Sequence, residues 1–126
     1  MLILDSGAVT RLAERSARSA ALIAALRAEG LWPPVVPSVV LVECLTGVGS
    51  RDAAEHRFLR TCDVTQAIPV PLAWRAVWLR GRARAGSAID ALLVASAEPG
   101  GTVLTGDPSD LRALAGNASD VTIEPI

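Results

Sequence analysis

Short apolar runs alternate with helical stretches from one end of this chain to the other, and that alternation constrains the fold more than any other feature. "LIL" (2–4) reads as a buried strand, and "WPPVVPS" (32–38) holds a strand between prolines. A further strand is expected around Ala67–Val70, another in "TVLTGD" (102–107) and a last one in "VTIEPI" (121–126). Helices fit between them at 18–30, 38–47, 51–62, 72–86, 87–100 and 108–116. Ser6 can cap a helix after the first strand, and Ser38 the one at 38–47. The β-branched residues of 38–47 also permit a strand there. Connections this short predict a single α/β domain over 1–126, with a mostly parallel central sheet of four to five strands flanked by helices on both faces. The 51% hydrophobic content, carried by Ala, Val and Leu, suits strands covered on both sides.

Composition removes several classes of function. No apolar run approaches the ~18 residues of a membrane span, and no basic segment precedes the first strand as in a signal peptide. The net charge of −1 provides no global field toward nucleic acid. All twelve cations are arginine, which excludes lysine-dependent chemistry. Cys44 and Cys62 are expected as reduced core thiols of a cytoplasmic protein, and with the single His56 they do not make a structural zinc site.

Four acids stand apart from the arginines. No Arg lies within four residues of Asp5, Glu43, Asp90 or Asp107, so none has a local helical ion-pair partner. Each also has an ordinary structural explanation. Asp5 is placed to help cap a helix, Ser87-x-x-Asp90 has capping-box spacing, and Asp107 precedes a proline suited to a first helical position. Glu43 lies in "VVLVECL" and is expected to be buried or nearly so, the alternative being a snorkelling surface side chain. Asp5 and Asp107 both follow apolar strands, and open α/β sheets bind ligands outside such strand ends where the strand order reverses. Were these strands neighbours, about 4.8 Å apart, the two carboxylates would share a pocket, with Asp90 aimed at it from the next helix start. Carboxylates that close require a cation. Mg2+ is the natural choice, with Mn2+ as a substitute.

At these positions the sequence resembles the PIN-domain ribonucleases, above all the single-domain toxins of VapBC toxin–antitoxin pairs. "LILDSGAV", "PSVVLVECLTG", "SAIDALLVASA" and "GTVLTGDPSDL" carry the resemblance in the family's order, across essentially the whole chain. It implies that Asp5, Glu43, Asp90 and Asp107 form a catalytic quartet, with Asp5 and Asp90 the leading metal ligands and Asp107 beside them. Asp110 matches a further acid and is equally a favourable charge in a first helical turn. Ser109 stands where many relatives carry another acid. Thr105 matches a recurrent hydroxyl and Ser6 a small polar position. The resemblance also implies a homodimer, a cognate antitoxin protein as partner and RNA as substrate.

The expected reaction is metal-assisted phosphodiester hydrolysis, with Asp5, Asp90 and Asp107 as direct or water-mediated ligands. Glu43 would position a water or complete a second ion site. Arg75, Arg80, Arg82 and Arg84, with Arg11 and Arg15, suit phosphate contacts or form an ordinary solvated face. Trp74 and Trp78 fit a core or an oligomer interface better than a base-stacking platform. The alternative is a PIN-like module that binds RNA or a protein without cleaving. A phosphoacceptor using Asp5 would want a second acid beside it or a lysine, and neither is present.

Overall fold

The computed structural model describes all of residues 1–126. Leu2–Leu4 forms β1, wholly buried, and runs into α1 (Ser6–Ala13) and α2 (Ala17–Ala28). Next come β2 (Val35–Pro37), α3 (Val40–Cys44), α4 (Ala53–Leu59) and β3 (Asp63–Thr65). The second half holds α5 (Val70–Ala83), α6 (Ala88–Ala97), β4 (Thr102–Thr105), α7 (Pro108–Ala115) and β5 (Thr122–Pro125). No helix is long and apolar enough to cross a membrane.

The five strands form one sheet in the order β3-β2-β1-β4-β5, and every neighbouring pair is parallel. The chain builds outward from β1 to one edge, then returns to place β4 on the other side of β1. With right-handed crossovers, that reversal puts α1–α4 on one face and α5–α7 on the other. The packing agrees: α1 rests on α2, α3 and α4, whereas α6 rests on α5 and α7. A single core of 23 buried apolar side chains runs through the sheet, with Ile3, Val36 and Val103 fully enclosed at its centre.

The structure moves three of the expected features. The third strand is Asp63–Thr65, not Ala67–Val70; Val36 pairs with Val64, and Pro69 and Pro71 open α5. Proline has no N–H to give a ladder but fits a helix start, so "IPVP" enters the helix. The helix expected over 38–47 shrinks to Val40–Cys44, and Leu45 is already extended at φ −107°, ψ 142°. Its stiff valines hold it to little more than a turn, and Ser38 caps nothing there, since Val39 occupies the cap without a side-chain bond. The first helix is capped by Asp5 rather than Ser6, whose side chain makes no cap bond.

Candidate active site

The sheet register brings the first two acids together. Leu4 pairs with Leu104, and the Asp5 N–H donates to the Leu104 carbonyl at 3.1 Å, so β1 and β4 end side by side. This is the place where the strand order reverses. Asp5 Oδ1 accepts the Ala8 N–H at 2.7 Å, which caps α1. Asp5 Oδ2 accepts the Thr105 hydroxyl and, at 3.3 Å, the Gly106 N–H. Thr105 is fully buried, and its oxygen also accepts the Asp107 N–H at 2.9 Å. One hydroxyl thus ties the Asp5 carboxylate to the backbone of Asp107. Gly7 and Gly106 allow this closeness: a Cβ on Gly7 would stand 3.1 Å from the Gly106 Cα.

Asp107 takes the cap position of α7, but its side chain makes no cap bond and is exposed. Asp110 lies in the first turn of that helix, where a negative charge is favourable. Asp90 forms a full capping box with Ser87: the Asp90 N–H donates to Ser87 Oγ at 3.1 Å, and the Ser87 N–H to Asp90 Oδ2 at 2.9 Å.

Glu43 departs from expectation. It is exposed, because the short α3 turns that side chain outward instead of burying it among its valines. Asp90 does not complete a three-carboxylate cluster with Asp5 and Asp107 either. No three His, Cys, Asp or Glu side chains converge closely enough to hold a metal ion. The carboxylates of Asp5 and Asp90 instead accept from N–H groups at their own helix starts. Their donors remain oxygen only, which is the chemistry of a hard divalent cation.

The arginines leave these acids alone. The one ion pair in the protein is Arg75 with Glu98, bidentate at 2.8 and 2.7 Å, and Glu98 also accepts the Ser119 N–H. Arg75 and Arg82 stand over the Trp78 ring at 4.5 and 5.7 Å, and Arg80 donates to the Gly86 carbonyl. Arg11 donates to the Ile126 carbonyl. Arg75 is therefore occupied within the protein, not free for phosphate as the sequence allowed.

Asp52 carries a role not visible in sequence. It is 2% exposed and accepts Thr46 N–H, Thr46 Oγ1–H and Gly47 N–H, each within 2.9 Å, which fixes the loop that follows α3. The Thr46 backbone bond is the main cause holding its carboxyl below the usual range; burial opposes it, and the Thr46 hydroxyl, the Gly47 N–H and nearby His56 assist. The only sequence trace is an acid five and six residues after a Thr-Gly turn. Both cysteines are unpaired thiols. Burial is the first cause raising the Cys44 thiol, reinforced by the charges of Glu55, Asp52 and Glu43, and burial pushes the Cys62 thiol up to about 11.

Residues 2–117 match the PIN domain family, and the chain belongs to it. PIN domains are in general nucleases that use divalent metal ions. Among solved structures, the chain is similar to the crystal structure of FitAcB from Neisseria gonorrhoeae. The TM-score is 0.64 at 20% identity, covering 98% of this chain and 96% of that one, a likeness of fold. No curated protein matches the sequence.

Two stability measurements check this geometry. Thr105→Val leaves Asp5 short of a donor and the Asp107 N–H short of an acceptor inside the protein. Urea unfolding should show a loss of about 1–3 kcal/mol, while Thr105→Ser stays close to wild type. Because the folded pKa of Asp52 lies below its unfolded value, its contribution is complete above about pH 4 and is lost as pH falls through the folded value. Asp52→Asn should lower stability at pH 7 and flatten the acid limb of the stability–pH curve; an unchanged acid limb would show the carboxylate contributes nothing.

Proposed function

We propose that this chain is a Mg2+-dependent endoribonuclease toxin of a type II toxin–antitoxin pair, with Asp5, Glu43, Asp90 and Asp107 as its catalytic acids. The observation that carries the reading is the pair Asp5 and Asp107 at adjacent strand ends, bridged by Thr105 and met by no arginine. Ions of this kind are commonly held by one or two carboxylates together with waters and substrate phosphates, so a three-carboxylate cage is not required. Asp5 and Asp107 would hold it, with Asp90 ligating directly or through water. When bound, the ion would supply charge neutralisation at the scissile phosphate and activation of a water.

The protein's own residues have distinct parts. Thr105 keeps the Asp5 carboxylate turned toward Asp107. Glu43, exposed and without a hydrogen-bond partner, is free to orient a water at the rim. Unpaired Cys44 and Cys62 suit a reducing compartment, the cytoplasm, where the RNA substrate is found. The antitoxin and RNA assignments rest on the motif resemblance. A homodimer is supported by α5, whose Val70, Trp74, Val77 and Trp78 are 68%, 69%, 61% and 47% exposed along one stripe.

Incubation with structured RNA should give cleavage that depends on Mg2+ or Mn2+ and stops with EDTA. Asp107→Asn should reduce it by about 100-fold or more without altering the melting temperature, because that side chain caps nothing. Asp5→Asn should also reduce cleavage, and it keeps α1 capped, since Asn is a good cap; it should lower the melting temperature, because its NH2 group cannot accept from the Thr105 hydroxyl and the Gly106 N–H. Equal inactivity of wild type and Asp107→Asn across RNA substrates with metal present would identify a PIN-like module that binds without cleaving. For the dimer, light scattering on a sizing column should read two copies for wild type and one for Trp74→Glu; a monomeric wild type would overturn it.

A further inference from the structure

Six arginines suit phosphate contacts by sequence, and the structure commits most of them elsewhere. Arg75 pairs with Glu98, Arg82 lies over the Trp78 ring at 5.7 Å, and Arg11 donates to the Ile126 carbonyl. Arg15 stands between α1 and α2, roughly 12 Å from Asp5 along an eight-residue helix. Arg80 turns inward, its Nε donating to the Gly86 carbonyl at 3.1 Å. Arg84 remains. It is exposed, and its guanidinium makes no hydrogen bond, ion pair or ring contact within the chain.

The Arg84 backbone is strained. It ends α5 in the left-handed region at φ 51°, ψ 35°, its N–H donating to the Arg80 carbonyl at 3.0 Å. Glycine or asparagine suits such a cap, and the Cβ of an arginine there costs free energy. Gly86 is also left-handed, at φ 84°, and a Cβ on it would stand 2.7 Å from Leu114 Cδ1. Glycine thus stands where packing demands it, and arginine where glycine would be easier. The turn between them is held firmly: Arg80 pins the Gly86 carbonyl, and the Ser87 N–H donates to Asp90 Oδ2 at 2.9 Å. Because α6 leads into β4, it starts at the end of the sheet where β4 finishes and Asp5 and Asp107 stand. Arg84 is the one of the six that is both free and at the acid end.

We propose that Arg84 is a substrate-binding residue whose guanidinium grips an RNA backbone phosphate next to the scissile one, on the Asp90 side of the crevice. RNA as the ligand rests on the nuclease reading, while the strained, unpartnered arginine stands without it. Strain kept at an exposed turn is accounted for when the side chain has a task the easier residue cannot perform. The planar fork matches two phosphate oxygens, and in a chain without lysine arginine is the available phosphate contact. A strand passing Asp90 meets negative charge, which a bound ion offsets only at the scissile phosphate. Arg84 offsets it one phosphate further along.

The test is fluorescence anisotropy of a labelled single-stranded RNA of about ten nucleotides, titrated with Asp107→Asn protein in Mg2+. Adding Arg84→Gln should weaken binding about tenfold and reduce the slope of log affinity against log salt by about 0.7, the value for one phosphate of a single strand. Arg84→Lys should keep the slope and recover part of the affinity, since it keeps the charge and loses the fork. Arg18→Gln, an equal change of charge at the exposed start of α2, should alter neither. Without the Asp107 change, Arg84→Gln should raise KM for RNA cleavage about tenfold and leave kcat within about twofold. Arg84→Gly should melt a few degrees above wild type, because glycine relieves the left-handed cap, and still bind RNA as weakly as Arg84→Gln. Unchanged affinity and slope in Arg84→Gln would overturn the proposal, as would RNA binding to neither protein. Should Arg84→Gln lose affinity for a hexaglutamate peptide while RNA binding stands, Arg84 serves a carboxylate partner and the proposal falls. Cleavage that Asp107→Asn abolishes and Arg84→Gln leaves untouched would sink this assignment and keep the nuclease. Arg84-dependent RNA binding by a wild type that cleaves nothing would do the reverse.

Discussion

The Asp5 carboxylate joins the start of α1 to the end of β4, segments 100 residues apart in sequence. One oxygen takes the Ala8 N–H at the start of α1, and the other takes the Thr105 hydroxyl and Gly106 N–H at the end of β4. These bonds close the crevice where the sheet changes direction, and they require β1 and β4 to be parallel neighbours in register. The close approach of Gly7 and Gly106 belongs to the same constraint, because a side chain at either position would push the two strand ends apart. The acid site is thus built into the strand pairing itself.

Charge is distributed so that this crevice stays anionic. Glu98, at the far end of α6, receives Arg75 in a bidentate pair and binds the Ser119 N–H. Asp52 is satisfied entirely by Thr46 and Gly47. Of the remaining arginines, Arg11, Arg60 and Arg80 donate to carbonyls, and Arg27 and Arg82 lie over the Trp32 and Trp78 rings. Asp5 and Asp107 have no cationic partner within the chain. On the proposed reading, that segregation is what distinguishes a ligand crevice from an ordinary acidic surface in a protein of near-zero net charge.

Much of this was legible in sequence because it is local or periodic. The alternating elements, the parallel sheet and the ends of β1 and β4 follow from apolar runs and their boundaries, and the Ser87–Asp90 capping box from a four-residue spacing. What escaped depends on contacts between distant segments or on short competing signals. Asp52 gives no periodic signal, because its partners are backbone groups of a loop. "IPVP" looks like a strand until β2 claims Asp63–Thr65 as its partner instead. Glu43 was expected among apolar neighbours, but a helix of five residues has too little length to bury one of its sides. The same shortness explains why its side chain is exposed despite the valines around it.

Capping and ion binding are not competing explanations for these acids. A carboxylate has about four lone-pair positions. Asp5 uses three of them on Ala8, Thr105 and Gly106, Asp90 uses one on Ser87, and Asp107 uses none. Asp5 is consequently the rigid member, its orientation set from both sides of the crevice. Asp107 is the adaptable one, anchored through its backbone to Thr105 and free at its side chain. On the proposed reading this division is useful: a fixed carboxylate defines where the ion sits, and a free one closes on it when substrate arrives. The hydrogen bonds that suggest a merely structural Asp5 are then the means by which it is positioned.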